Sequence, residues 1–165
     1  MIFAAFYVVA LITASVHLRL DSHPRTPERV VEIFLLHILT ICYGASGVFA
    51  FAGHKFRSDE VARSIGWPSG NPFQEEVAYA DLGIGVLGLL CPWKRGSFWT
   101  ATGVGGGVFL LGAASIHVRE LRKSGNLAVN NAGAILPDLL TPVTALALLA
   151  ARDRLSQGQA RGDSR

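Results

Sequence analysis

Five apolar stretches divide the chain: Ile2 to Leu20, Val30 to Gly53, Phe73 to Pro92, Ser97 to Val118 and Gly133 to Ala151. Each approaches the roughly 20 residues that a helix needs to cross a hydrocarbon layer about 30 Å thick. The pattern predicts an all-α fold, an integral membrane bundle of five transmembrane helices. The first stretch ends in His17 and Arg19, which can reach the interface, and the third begins with Glu75 and Glu76, which need water at its mouth. Spans three and four are joined by "CPWKRGSFW". There Pro and Gly turn the chain, Lys94 and Arg95 face water, and Trp93 and Trp99 are expected at the headgroups.

The densest polar run, "HKFRSDEVARSIGWPSGNPFQEE", separates spans two and three. Residues 54–72 read as a lid loop containing a short amphipathic helix. Ser58 is placed to cap it, Asp59 and Glu60 occupy its first turn, and Val61, Ala62 and Ile65 form its apolar side before Gly66 ends it. Trp67 then anchors that end at the membrane face. Further on, Asn71 reads as a cap, Pro72 as the first helical position, and Gln74 as the return partner of an Asn-x-x-Gln box. A loop of this length with its own helix suits a lid or a docking surface.

Residues 1–151 therefore form a single transmembrane domain. Residues 152–165, polar and without apolar period, are expected to be a disordered cytoplasmic tail. The first span has no Lys or Arg before its apolar core and is too long for a signal core, so it reads as a retained helix.

Composition fits this picture. The chain is 50% hydrophobic and 16% charged, well under the ~25% charged residues of soluble domains. Nine basic residues fall on the side of the span 1–2 and 3–4 connections and the tail, and six on the lid side. The positive-inside tendency puts the protein in the cytoplasmic (inner) membrane with its N-terminus and lid outside and its C-terminus in the cytoplasm. No nucleic-acid partner is expected. Cys42 and Cys91 lack Cys-x-x-Cys spacing and sit in separate apolar runs, which argues against a disulfide or a thiolate metal site.

Glycines are frequent in the spans. "GIGVLG", Gly83 to Gly88, has the letters of a dinucleotide fingerprint but no preceding strand and no following acid, so it reads as a helix-packing surface. "YGASG" in span two and Gly103 with Gly107 in span four read the same way, which leaves glycine-rich faces for helix neighbours, a homo-oligomer or a protein partner. Asp81 shares the glycine face of span three and points into the bundle, where an ionisable group is a functional candidate. Asp138, between Pro137 and Pro142, lies in a helix where carbonyls lose their usual donors.

His54 closes span two and His117 span four, both beneath the lid, with Glu75 and Glu76 entering there. Imidazoles with carboxylates are a candidate for a transition metal such as zinc or for proton transfer, although no i, i+4 ligand spacing supports a metal. Histidines bonded to loop carbonyls are the plainer reading. At the other end His17 and His37 lie on adjoining antiparallel spans, near Glu32, as candidate axial ligands for haem b or flanks of a quinone.

The segments "YGASG", "GHKFRSDEVA", "SIGWPSGNPFQEE", "LGIGVLG" and the later "GN" and "NNAG" together resemble a bacterial and archaeal family of polytopic membrane proteins, domain of unknown function family 6790. The resemblance covers about residues 37 to 150 and implies a small integral membrane protein with no assigned reaction. More distantly, Gly66-Trp67-Pro68 followed by Glu76, a Gly-rich helix and a basic hairpin is similar to DoxX-like proteins. Those are four-helix membrane proteins linked in some cases to thiol or quinone chemistry, and the missing cysteine pair departs from the thiol branch.

The expectation is thus a non-enzymatic binding protein or accessory subunit of a membrane redox or transport complex, with a ligand or partner site under the lid formed by His54, Trp67, Glu75, Glu76, Asp81 and His117. The alternatives are an oxidoreductase component holding haem, quinone or a metal on its histidines, and a small proton-coupled transporter. No internal repeat is evident to support the last.

Overall fold

The structure is a computed structural model that describes residues 2–162. It is helical throughout, with no strand among the described residues. Helix α1 (Ile2–Leu20) turns at Asp21 into α2 (Pro27–His37), which runs without a break through a π-helical segment (Ile38–Ala45) into α3 (Ser46–Phe56). Then follow the short α4 (Ser58–Ile65), α5 (Phe73–Leu90), α6 (Ser97–Ser124) and α7 (Val129–Gly162).

Among the described residues, four helices are long and apolar enough to cross a membrane: α1, the continuous rod Pro27–Phe56, α6 and α7. The sequence reading has five. The difference is α5, whose 18 residues hold Glu75, Glu76 and Asp81. The α1 helix shows why burial inside the protein is not what makes such helices apolar: Val8, Val9, Ile12 and Val16 face outward, and only Ala10 and Ala14, one turn apart, are wholly covered.

Local signals set the ends. Thr26 accepts the Arg29 backbone N–H and Pro27 opens the helix, so α2 begins where the chain can cap it. Asp21, in the turn before it, accepts from the Arg29 guanidinium at 2.5 Å and lies 2.7 Å from His23 Nδ1. The Arg29 bond, then the His23 bond, hold the Asp21 carboxyl well below the usual carboxylate range. A lowered folded-state value means that this contribution is present above the ordinary carboxylate pKa, about 3.9, and fades as pH falls toward the folded value. Asp21→Asn is therefore expected to lower the melting temperature in micelles at neutral pH. The gap from wild type should close progressively once the pH drops below the ordinary carboxylate range. A gap that stays constant down to strong acid would contradict this role.

The interior is closed by glycine. A Cβ at Gly47 would stand 2.8 Å from the Asp81 carbonyl oxygen, and one at Gly85 would stand 2.8 Å from the Val48 nitrogen. At Gly88 it would run into the Gly44 backbone. The π segment and α3 thus touch α5 backbone to backbone. Gly83, in the same stretch of α5, meets nothing within 4 Å.

Some end details differ from expectation. Trp99 is buried rather than at an interface, its indole N–H donating to the Cys91 carbonyl at 2.8 Å, with Arg95 and Arg152 over its ring; Trp93 is the exposed one. The α7 helix continues to Gly162, where the sequence reading has a disordered tail, since Arg, Leu, Gln and Ala in that stretch all favour helix.

Candidate functional site

The π segment, α3, α4, α5, α6 and α7 surround a cavity of about 940 Å³, with Ile2 and Phe3 of α1 at its edge. Small-molecule sites typically span about 300–1,000 Å³. Its walls are largely apolar, including Phe3, Phe49, Ile84, Val108 and Phe109. Ionisable groups interrupt them: His54, Asp81, His117 and Asp138, with Cys42 and Tyr43 of the π segment and the exposed Arg57 and Glu60.

These form two matched pairs. His54, in the last turn of α3, places Nδ1 2.6 Å from Gln74 Oε1 and Nε2 4.0 Å from Asp81 Oδ2. His117, on α6, places Nδ1 2.8 Å from Asn131 Oδ1 and Nε2 3.9 Å from Asp138 Oδ2. In each, a buried side-chain amide holds the outer ring nitrogen and a carboxyl faces the inner one. The amide of Asn131 is oriented by its other bonds, since its Nδ2 donates to the carbonyls of Asn126 at 2.8 Å and His117 at 3.3 Å. Its oxygen is left to accept, so His117 donates from Nδ1, and Nε2 is the ring nitrogen that faces Asp138.

The likeness extends to the backbone register. Gln74 precedes Asp81, and Asn131 precedes Asp138, by the same two helical turns. Around these, Phe73, Val77 and Ile84 on α5 correspond to Asn130, Ala134 and Thr141 on α7, and all six line the cavity. Counting back from the histidines, Gly53, Ala50 and Gly47 correspond to Ile116, Ala113 and Leu110, which also line it. Helix α3 packs against α5 as α6 packs against α7. Two hairpins of the same sense thus present the same face to one space, a repeat that the sequence reading does not find.

The α4 helix closes the lid end. Gly66 ends it in the left-handed region at φ 83°, and a Cβ there would also meet the Asn126 side chain at 2.8 Å. Asn126 Nδ2 donates to the Ile65 carbonyl and Asn130 Nδ2 to Ser64 Oγ, both at 2.9 Å, so α4 is fastened to the α6–α7 connection. Trp67 lies flat over His117, ring centroids 6.0 Å apart at 20°. Ser58 is the first residue of α4 and makes no cap bond, while Asp59 instead accepts the Gly70 N–H at 2.8 Å.

Of the residues expected at this site, His54, Trp67, Asp81 and His117 meet at the cavity. Glu75 and Glu76 do not. Glu75 pairs with Lys55 at the surface, 2.5 Å away, and Glu76 is exposed. Gln74 does not close a capping box, because its oxygen is turned to His54. Asn131 and the site role of Asp138 are additions from the structure. No three His, Cys, Asp or Glu side chains among the described residues gather as a metal site.

The second histidine pair is arranged otherwise. His17 Nδ1 lies 3.1 Å from His37 Nε2, and Thr13 Oγ1 is 2.8 Å from His37 Nδ1. An iron between two axial imidazoles needs their nitrogens about 4 Å apart, two bonds of about 2 Å each. The direct bond leaves no such gap, so this arrangement does not fit haem.

Helices of this length and apolarity, with polar groups turned inward on a lidded cavity, define a multi-helix protein of the membrane-embedded kind. Within that class, the chain belongs to DUF6790, a family of unknown function that matches residues 1–158. No curated protein and no solved structure matches it. The DoxX-like likeness accordingly rests on its short motif alone.

Proposed function

We propose that this is a five-span integral membrane protein that binds a small ligand in the cavity beneath the α4 lid. The observation that carries the reading is the pair of His–Asp dyads, each backed by a buried amide, facing one largely apolar space. Holding four ionisable groups in such surroundings is costly, and the cost is commonly met at functional sites. The α5 helix is the fifth span: its 18 residues reach about 27 Å at 1.5 Å per residue, and its far half exposes Val86, Leu87, Leu89 and Leu90. Its acids sit at the lid end or in the cavity, where water or a partner meets them.

A proton-coupled transporter is the second reading, favoured by the repeated hairpins, since transporters often bind substrate between two like halves. Both readings require an occupied cavity. Wild-type protein purified in mild detergent should carry an extractable small molecule, identified by mass spectrometry, that is depleted in Ala113→Phe, which fills the cavity wall. Identical extracts from the two proteins would overturn the reading.

A further inference from the structure

Resting on that cavity reading, we propose that its ligand is an organic cation, a protonated amine on an apolar body, taken up in exchange for a proton. In each dyad the histidine Nε2 and the carboxyl oxygen stand 4.0 and 3.9 Å apart. That is too wide for a direct hydrogen bond, which usually spans about 2.7–3.2 Å. One donor nitrogen about 2.8 Å from each atom fits between them, the spacing of a charge-assisted N–H bond. Asn131 bonds His117 at Nδ1, so once the dyad has given up its extra proton both groups facing the Asp138 gap, Nε2 and the carboxylate, are acceptors. The gap therefore asks for a donor, and an ammonium offers three.

Charge points the same way. The titratable groups around the space are His54 from α3, Asp81 from α5, His117 from α6, Asp138 from α7, and Cys42 and Tyr43 from the π segment. Arg57 and Glu60 also line it, but both are exposed at the rim and paired with each other at 2.8 Å. No buried Lys or Arg balances Asp81 and Asp138 among the described residues. A water would fit each gap but brings no charge, so it can balance a dyad only while the extra proton stays, whereas a cation balances the deprotonated one. Tyr43, 1% exposed, adds a buried hydroxyl with no partner to the same wall. The remaining wall, with Phe49, Val108 and Phe109, suits an alkyl or aryl body and offers ring faces to a cation.

The exchange balances. An unliganded dyad is neutral only when it holds one extra proton, on Nε2 or on the carboxyl. An entering R–NH3⁺ replaces it: the dyad keeps the ammonium, and one proton leaves to water. No bond other than N–H or O–H is broken.

The test uses the full chain in phosphatidylcholine nanodiscs, titrated calorimetrically with octylammonium, 1-octanol and octanoate against empty nanodiscs. Octylammonium should bind at least about tenfold more tightly than the other two. Comparing buffers of different ionisation heat should show proton release approaching one per cation. Asp138→Asn should weaken octylammonium by at least about tenfold without changing octanol binding, and Asp138→Glu should restore it. Octanol binding as tightly as octylammonium, or cation binding without proton release, overturns the cation assignment and leaves the cavity reading standing. If none of the three binds above the lipid background, both fail.

Discussion

Asn131→Ala should destabilise the protein by about 3 kcal/mol or more, the largest effect expected of any polar substitution. Asn131 is fully buried and makes three bonds: it accepts from His117 Nδ1–H and donates to the carbonyls of His117 and Asn126. Alanine takes this partner from the buried His117 Nδ1–H and the Asn126 carbonyl, each at a cost of about 1–3 kcal/mol, while the His117 carbonyl, inside α6, keeps its helical bond. Neighbouring Asn130→Ala removes one bond, to Ser64, on a half-buried side chain, and should cost only about 0.5–1.5 kcal/mol. Unfolding of both variants by dodecyl sulfate in mixed micelles measures the difference. Equal losses would mean that Asn131 does not hold the site.

Gly88→Ala is expected to cost about 1–3 kcal/mol or more, the range for overpacked interiors. The added methyl would run into the backbone of Gly44, which cannot swing aside as a side chain can. The α5 helix must then part from the π segment, loosening the wall that carries Asp81. Gly83→Ala, five residues earlier in the same motif, meets nothing within 4 Å and should be neutral or stabilising by up to about 1 kcal/mol, the helix preference of alanine. The same micelle titration separates them, and a Gly83→Ala protein weaker than Gly88→Ala would contradict the packing described.

Much of the fold is legible because apolar length is a strong signal. Ile2–Leu20 has the expected bounds, and the long rods lie where the hydrophobic runs place them. The lid helix is legible from Asp59, Glu60 and Gly66, since first-turn acids and a terminal glycine mark helix ends directly. Half of the site is legible too: a histidine ending an apolar helix and an acid inside one are conspicuous, which picks out His54, His117 and Asp81.

The amides are not. Gln74 follows Asn71 at the spacing of a capping box, and local spacing cannot reveal that a residue twenty positions away will take its oxygen. Asn131 stands among Asn126 and Asn130, and only the fold separates the buried one from its neighbours. One signal was within reach: an amide two turns before an acid, following an apolar run that ends in histidine, occurs twice. Its unequal connections, with α4 inserted in one copy, hide it from a search at fixed period. Glu75 and Glu76 show the opposite error, since closeness to the lid in sequence does not decide which way a helix turns them.

The π-helical segment Ile38–Ala45 carries a consequence for that repeat. A π turn closes with one residue more than an α turn, and each residue of an α-helix advances about 100° around the axis. The segment therefore sets the rotational phase of everything after it in the rod. Restored to a plain α-helix by loss of one residue, the rod would turn its far end about a quarter of a revolution, swinging Gly47 off Gly85 and His54 off Asp81. The two halves of this helix, one bonded to α1 through His37 and the other facing the cavity through His54, are correctly aimed together because the helix is wound wider between them.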